Sequence, residues 1–157
     1  METWILVALL VVVGLAALLG RLGAIQLSVA VRNARLDAIE TTVGTSAILE
    51  IRTGSQPANC AAADSGTLLA SCSLPSNWLA DAASGAKAKA GTWEDTSCNA
   101  TGTAAHFRIK DSGGTVCGMQ GTVTATGGGG DMTVDSVSFV AGQPFSVTSF
   151  TLTDGNA

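Results

Sequence analysis

The spacing of apolar residues divides the chain into three segments. Residues 4–20 form an apolar run with no charged side chain, and residues 28–44 repeat their apolar positions at helical spacing. From residue 45 onward the period changes to two, which is the spacing of strands with one buried face. The pattern predicts a mainly β protein, with helical segments only ahead of the strands.

The alternating part, residues 45–157, predicts one domain of about seven strands. A hairpin is expected around the turn at residues 111–114, with strands on either side of it. In each of the segments 132–139 and 145–152, the apolar residues switch midway from one face of the strand to the other, as they would at a bulge or at a change of sheet. We therefore expect an antiparallel β-sandwich, jelly-roll or immunoglobulin-like, preceded by an N-terminal helical segment.

Residues 24–44 predict a short amphipathic helix that begins after Ser28 and ends at Gly44. Its predicted apolar stripe contains Val31, Ile39 and Val43, at helical spacing. Its charged residues are interpreted as a solvated face with weak ion pairs. These charged residues are Arg32, Arg35, Asp37 and Glu40.

The opening segment, residues 1–23, predicts an apolar helical extension. At about 1.5 Å per residue its run spans roughly 26 Å, a marginal length for a ~30 Å hydrocarbon layer. No Lys or Arg precedes the apolar run, and no cleavage motif of small residues follows it, so a cleaved secretory signal peptide is disfavoured. As an anchor, the run is followed by Arg21, which would keep the body in the cytoplasm. The anchor or interface residues are Trp4, Leu6, Leu10, Val13 and Leu18.

Composition narrows the function classes. The 157 residues carry a net charge of −4 and 13% charged residues, which fits one domain with an appendage and provides no basic surface for nucleic acid. Tyrosine is absent and glycine occurs 19 times, as expected for short strands joined by tight turns. No cofactor is predicted.

Four cysteines, Cys60, Cys72, Cys98 and Cys117, lack the Cys-x-x-Cys spacing of zinc sites. The alternation assigns Cys72 and Cys117 to inward positions, where a thiol acts as a small apolar filler. One or two disulfides are the alternative. The pairings closest in sequence, Cys60 with Cys72 and Cys98 with Cys117, are the first to test.

No catalytic or metal-binding constellation is predicted. The single histidine, His106, shares its strand face with Arg108 and Lys110, and this face is interpreted as solvated. Four aspartates near turns are expected to accept hydrogen bonds from their own backbone, and a calcium site is the alternative hypothesis. They are Asp111, Asp131, Asp135 and Asp154. The glycines at 127–130 predict a loop and lack the Lys-Ser/Thr of a phosphate-binding loop.

Four stretches together resemble a family of small virion proteins of tailed bacteriophages. They are IRTGSQPANC, SGTLLASCSLPSNW, ATGTAAHFRIKDSGGTVCGMQGTV and MTVDSVSFVAGQPFSVTSFTLTDGN. The resemblance covers roughly residues 24–157 and carries no catalytic motif. It implies a structural role, either decorating the capsid shell or forming part of the tail or its fibres. Residues 1–23 have no counterpart in it, which leaves an early start, a membrane anchor or a subunit-interface helix as explanations.

The predicted function is that of a non-enzymatic virion structural protein that binds other virion proteins and forms a homo-oligomer, such as a trimer. Its predicted location is the virion, as capsid decoration or cement, with a tail or tail-fibre component as one alternative. The second alternative is a membrane-anchored, pilin-like or adhesin envelope module, with membrane contact through residues 4–20. That alternative is favoured by the apolar run and the even number of cysteines.

Overall fold

The computed structural model describes residues 25–155, and residues 29–154 form one compact unit. As predicted, this unit is mainly β. The described residues contain one helix, α1 (Val29–Val43), followed by eleven strands. The strands are β1 (Ile48–Arg52), β2 (Leu68–Ser73), β3 (Ala86–Ala88), β4 (Glu94–Asp95), β5 (Gly102–Thr103), β6 (His106–Lys110), β7 (Cys117–Ala125), β8 (Met132–Val134), β9 (Ser138–Phe139), β10 (Phe145–Ser146) and β11 (Thr151–Thr153).

The main sheet has the strand order β2-β1-β6-β7-β8. Its ladders are antiparallel except for β7 with β8, which run parallel, so the prediction of purely antiparallel pairing is wrong at this edge. Three two-stranded antiparallel ladders accompany the sheet: β3 with β11, β4 with β10, and β5 with β9. The predicted hairpin around residues 111–114 is confirmed as β6 and β7.

The parity changes near the end of the chain correspond to changes of sheet. The predicted strand 132–139 is two strands, β8 in the main sheet and β9 paired with β5. The predicted strand 145–152 likewise divides into β10, paired with β4, and β11, paired with β3. The described residues contain eleven strands where the sequence predicts about seven. These two divisions account for two of the additional strands, and the two-residue strands β4 and β5 account for the others.

The hydrophobic core lies on one face of the main sheet. Leu49 of β1 pairs with Ile109 of β6, and both side chains are fully buried. The next core residue of β6, Phe107, meets Phe150 edge-on at 5.9 Å between ring centroids. Phe150 in turn lies 5.5 Å from the buried Trp93, so aromatic rings connect the sheet to the segments that carry the small ladders.

Helix α1 has the predicted bounds: it follows Ser28 and ends at Gly44, whose positive φ of 96° suits a helix C-terminus. The predicted apolar stripe is confirmed in part: Ile39 and Val43 are partly buried and pack against the hydrophobic core. Val31 is half exposed, and the one apolar helix residue that is fully buried is Leu36. The helix also packs with a polar face, because residues 78–85 present backbone N–H groups that need acceptors.

The acidic residues of α1, interpreted from the sequence as solvated, supply those acceptors. Glu40 accepts hydrogen bonds from the backbone N–H groups of Trp78 at 2.8 Å and Leu79 at 3.1 Å. Asp37 accepts from the Ala82 N–H at 3.0 Å and from the buried Lys87 ammonium at 2.8 Å. The carboxylates therefore attach the helix to the β domain.

The glycines at 127–130 form the predicted loop, and their spacing has a steric reason. The loop turns back along β7 before β8 runs forward beside it, so its backbone lies against Thr124. A Cβ at Gly128 or Gly130 would approach Thr124 side-chain atoms to 2.7–2.9 Å. Gly127 and Gly129 have positive φ values of 87° and 75°. Along the run, glycines with positive φ therefore alternate with glycines that lie close to Thr124.

Within residues 25–155, no helix has the length and apolarity needed to cross a bilayer. The predicted extension and its residues Trp4, Leu6, Leu10, Val13 and Leu18 lie outside the described residues.

Candidate functional site

The polar face of the main sheet is covered, which corrects the interpretation of His106, Arg108 and Lys110 as a solvated face. All three side chains are buried, with 0%, 1% and 4% of their surface exposed. Alternation places them correctly on the side of β6 opposite Phe107 and Ile109. What covers them is the segment 53–67, a loop without helix or strand between β1 and β2.

This segment is an Ω-loop, a compact loop whose ends lie close together. The Thr53 N–H donates to the Thr67 carbonyl at 3.0 Å, and the Thr67 N–H donates to Thr53 Oγ1 at 2.8 Å. Inside the loop, Asn59 Oδ1 accepts from the N–H groups of Ala61 and Ala62, both at 3.0 Å. Loops of this length that lack secondary structure are commonly functional.

Side chains of the sheet hold the Ω-loop by donating hydrogen bonds to the main-chain carbonyl oxygens of the loop. Arg108 donates to the carbonyls of Cys60 at 2.7 Å and Ala62 at 3.1 Å. On the neighbouring strand β7, Gln120 donates to the Pro57 carbonyl at 2.7 Å. Arg52 donates to the carbonyl groups of Ser65 and Gly66. The ring of His106 lies beside the Gly54 carbonyl.

Five charged residues form what we call the ion cluster: Glu50, Arg52, Asp64, Arg108 and Lys110. Asp64, the one member carried by the Ω-loop, accepts from Arg108 at 2.6 Å, from Lys110 at 2.6 Å and from Arg52 at 3.1 Å. Glu50 on β1 accepts from Lys110 at 2.9 Å and from Arg52 at 2.8 Å. Two carboxylates thus neutralise most of the charge of three cations beneath the loop.

Electrostatics keep Asp64 ionised. Burial alone would raise the pKa of Asp64, but the hydrogen bond from Lys110 and the positive charges of the two arginines outweigh it. The net effect holds the pKa of this carboxyl below its ordinary value. Since 33% of the Asp64 side chain remains exposed, the cluster is open to water at this one corner of the loop.

His106 is buried as a neutral ring. Burial lowers its pKa, the Gly54 carbonyl at 3.1 Å opposes that change, and the charges of Arg52 and Arg108 lower the pKa further. Along β6, His106 and Lys110 are four residues apart, which is roughly 13 Å of extended strand. Because Cys117 pairs with Lys110, the histidine lies too far from that thiol to act as its base.

Cys117 lies on the polar face, so its predicted inward position is wrong. Ile109 pairs with Met119, but the next residue, Lys110, pairs with Cys117, which leaves Gly118 as an extra residue in β7. Such a bulge reverses the facing of every residue beyond it. Gly118 also lies against Val43 of α1, where a Cβ would clash with the valine side chain.

The bulge brings Cys117 to Cys60 of the Ω-loop. Both cysteines line one open depression of about 520 Å3, beside Arg108. Burial, followed by the Cys117 side chain, raises the pKa of the Cys60 thiol to about 11. All four cysteines are free thiols in this structure.

Cys72 and Cys98 are neighbours in the hydrophobic core, on the other side of the sheet. Cys72 takes its predicted inward position opposite Leu49. Burial, with the nearby charge of Asp95 next in size, raises the pKa of the Cys72 thiol to about 12. The structure therefore groups Cys60 with Cys117 and Cys72 with Cys98, whereas the chain order suggested Cys60 with Cys72 and Cys98 with Cys117.

Of the aspartates predicted to cap turns, Asp111 does so: it accepts from the N–H groups of Thr115 at 2.8 Å and Val116 at 2.9 Å. Asp131 instead accepts from the Thr122 N–H of β7 at 2.8 Å, nine residues earlier in the chain. These bonds hold the pKa of both carboxyls below the ordinary value. Among residues 25–155, no group of three or more His, Cys, Asp or Glu side chains is arranged to hold a metal ion.

The sequence contained one signal for the covered face. The strand before the turn carries two of the eight Lys and Arg residues and the only histidine, and alternation puts all three on the same face: His106, Arg108 and Lys110. A long loop rich in small residues precedes β2, and its backbone carbonyl groups are acceptors that such cations can satisfy. These two features are compatible with a loop folded onto the cationic strand, but they do not specify that contact.

These observations define a mainly β domain in which charged side chains attach an Ω-loop to the five-stranded sheet and a helix to residues 78–87. No known family model, curated protein or solved structure matches this chain.

Proposed function

We propose that this chain is a non-enzymatic structural protein of a tailed-bacteriophage particle that decorates or cements the capsid through protein–protein contacts. The resemblance to small virion proteins motivates the proposal. Its four stretches coincide with the Ω-loop, with β2, with the β6–β7 hairpin and with the closing strands β8 to β11. They therefore cover most of the framework that holds the domain together.

One observation carries the proposal: the buried ionisable side chains of the described region are used to hold loops. Glu50, Arg108 and Lys110 lie under the Ω-loop, and Lys87 lies between α1 and the segment that α1 caps. His106 faces a loop carbonyl. This distribution is typical of a rigid protein that acts through its surface, because a reaction centre would need such groups to converge on a substrate.

For the finer fold we propose a β-sandwich, with the small ladders as the layer opposite the main sheet. The ring contacts from Phe107 through Phe150 to Trp93 and then to Trp78 support two layers joined across one core. We also propose that copies associate as a homo-oligomer, such as a trimer. Light scattering of the purified chain measures the number of copies, and a concentration-independent monomer contradicts the association.

Quantitative mass spectrometry of gradient-purified particles tests the virion assignment. We expect peptides of this chain in the particle band, at a constant ratio to the major capsid protein through two successive gradients. Antibody labelling under the electron microscope then distinguishes the capsid from the tail or its fibres, the alternative location. A chain that leaves the particle band on repurification contradicts the proposal.

The second candidate is a membrane-anchored envelope module of the pilin or adhesin type. It is favoured by the apolar run at residues 4–20 together with two pairs of neighbouring thiols, which suit an oxidising compartment. Fractionation discriminates the two functions. Recovery of the chain in carbonate-washed membranes and its absence from particles supports the envelope module.

A further inference from the structure

We propose that Cys60 and Cys117 form a disulfide that fastens the Ω-loop covalently to β7. The proposal concerns a modification of the chain and holds for either candidate function. It depends on three placements: the bulge that turns Cys117 to the polar face, the loop that carries Cys60 over the same face, and Arg108 between them.

Arg108 fixes the position of Cys60 relative to β7. Its Nη2 atom donates to the Cys60 carbonyl at 2.7 Å, while its Nη1 atom donates to Asp64 at 2.6 Å. On β7, Cys117 lines the same depression as Arg108 and pairs with Lys110, two residues further along β6. Since Arg108 is 1% exposed and bonded to the loop, it keeps Cys60 on the face of the sheet where Cys117 lies.

The alternative pairings are blocked by the sheet. Cys72 and Cys98 belong to the hydrophobic core, on the face that carries Leu49 and Ile109. Cys60 and Cys117 lie on the opposite face, under or within the Ω-loop. A bond from Cys60 to Cys72, or from Cys98 to Cys117, would have to pass through the layer of paired strands.

The oxidant we name is a low-molecular-weight disulfide such as oxidised glutathione. The thiolate of one protein cysteine attacks a glutathione sulfur, releases one glutathione thiol and leaves a mixed disulfide on the protein. The second protein thiolate then attacks the protein sulfur of that mixed disulfide and releases the second glutathione. Two protein thiols become one disulfide, and one oxidised glutathione becomes two reduced molecules.

Thiol availability sets the conditions of the reaction. The raised pKa of Cys60, about 11, leaves it mostly protonated at neutral pH. We therefore expect closure to accelerate as the pH rises from 7 to 9, where the thiolate fraction grows about tenfold per unit. In its reduced state the loop is attached by non-covalent contacts only, those of the ion cluster and the hydrogen bonds to its carbonyl groups.

Peptide mapping of the full-length chain tests the bond directly. The reduced chain, purified in mild detergent, is incubated with oxidised glutathione at pH 8.5, quenched in acid, unfolded and alkylated. Cleavage by trypsin together with a protease that cuts before aspartate places each cysteine on its own peptide. These peptides are 53–63, 64–80, 95–108 and 111–130.

We expect peptide 53–63 to be joined to peptide 111–130, with a loss of two hydrogens that a thiol reductant reverses. The melting temperature should rise by about 10 °C on closure, because the bond closes a long stretch of chain. Cys60→Ser and Cys117→Ser should each abolish the joined peptide and the rise. Native-state alkylation of Cys72 reports any sample that has unfolded, and such samples are discarded.

Three outcomes overturn the inference. One is a joined pair that contains only one of the two cysteines, such as 53–63 with 64–80. Another is a mixed glutathione adduct on Cys60 or Cys117 that does not resolve into a cross-link. The last is recovery of both cysteines as alkylated thiols after full equilibration with the oxidant. None of these readouts requires a variant to fold.

Discussion

Replacing Asp64 with asparagine isolates the electrostatic attachment of the Ω-loop. The side chain keeps its size and one acceptor oxygen but loses the charge that meets Arg108 and Lys110 at 2.6 Å and Arg52 at 3.1 Å. Glu50 then remains as the one carboxylate of the ion cluster. Two of the cations are nearly inaccessible to water, with side-chain exposures of 1% and 5%.

The expected cost lies between two limits. Removing one partner of a fully buried ion pair costs roughly 3–5 kcal/mol, and removing one from an exposed pair costs about 0–1 kcal/mol. Because a third of the Asp64 side chain is exposed, water screens part of the lost interaction. We expect the free energy of unfolding to fall by about 2 kcal/mol, equivalent to about 4–8 °C in melting temperature.

Urea denaturation followed by tryptophan fluorescence measures this loss, since Trp78 and Trp93 are both buried in the core. The matched control is Asp81→Asn, which removes the same charge from an exposed position and should change stability by less than about 0.5 kcal/mol. The carboxyl pKa of Asp64 is lowered in the folded state, so its contribution is present above the unfolded value near 3.9 and is lost as the pH falls. The wild type and Asp64→Asn should therefore converge in stability in strong acid.

A loss no larger than that of the Asp81 control would show that the ion cluster does not hold the loop. A difference that persists unchanged at low pH would show that the asparagine acts through shape and not through charge. Either result refutes the electrostatic reasoning.

Three further predictions concern single positions. Because the pKa of His106 is lowered in the folded state, the unfolded chain binds this proton at a higher pH than the folded chain does. The free energy of unfolding should therefore fall as the pH decreases from about 6.5, by at most about 1.4 kcal/mol per pH unit. In His106→Gln the midpoint of urea denaturation should depend less on pH in that range. Gly118→Ala should cost about 1–3 kcal/mol by forcing Val43 away from β7, and adding Val43→Ala should recover part of that loss in a double-mutant cycle of thermal melts. Gly130→Ala should cost a similar amount in urea denaturation because its Cβ meets Thr124, whereas Gly155→Ala, which meets no atom within 4 Å, should be neutral.

The elements that depend on local chemistry could be predicted from the sequence. Ser28 and Gly44 delimit α1 because capping involves only nearby backbone groups. The β6–β7 hairpin follows from alternation on either side of a turn whose aspartate caps its own backbone. The parity changes near the C-terminus correctly indicated strands that change partners.

The features that depend on distant partners could not be predicted from periodicity. Alternation places Arg108 on the face opposite the core, but it does not show that a loop from another part of the chain covers that face. One extra residue, Gly118, turns Cys117 to the other side of the sheet without any break in composition. The acidic face of α1 resembles a solvated one because its acceptors serve N–H groups that are distant in sequence, as Glu40 does for Trp78, 38 residues away.

The attachment of the Ω-loop through carbonyl oxygens affects how its sequence can vary. Every amino acid has a carbonyl group, so the bonds from Arg108 to the Cys60 and Ala62 carbonyls, and from Gln120 to the Pro57 carbonyl, do not depend on the side chains at those positions. The loop side chain on which the attachment does depend is Asp64. Ala58, Ala61 and Ala63 point to solvent and can be exchanged for larger or charged residues without loosening the attachment. The loop is thereby suited to present foreign peptides or to diversify rapidly under selection while its anchoring strand stays constant.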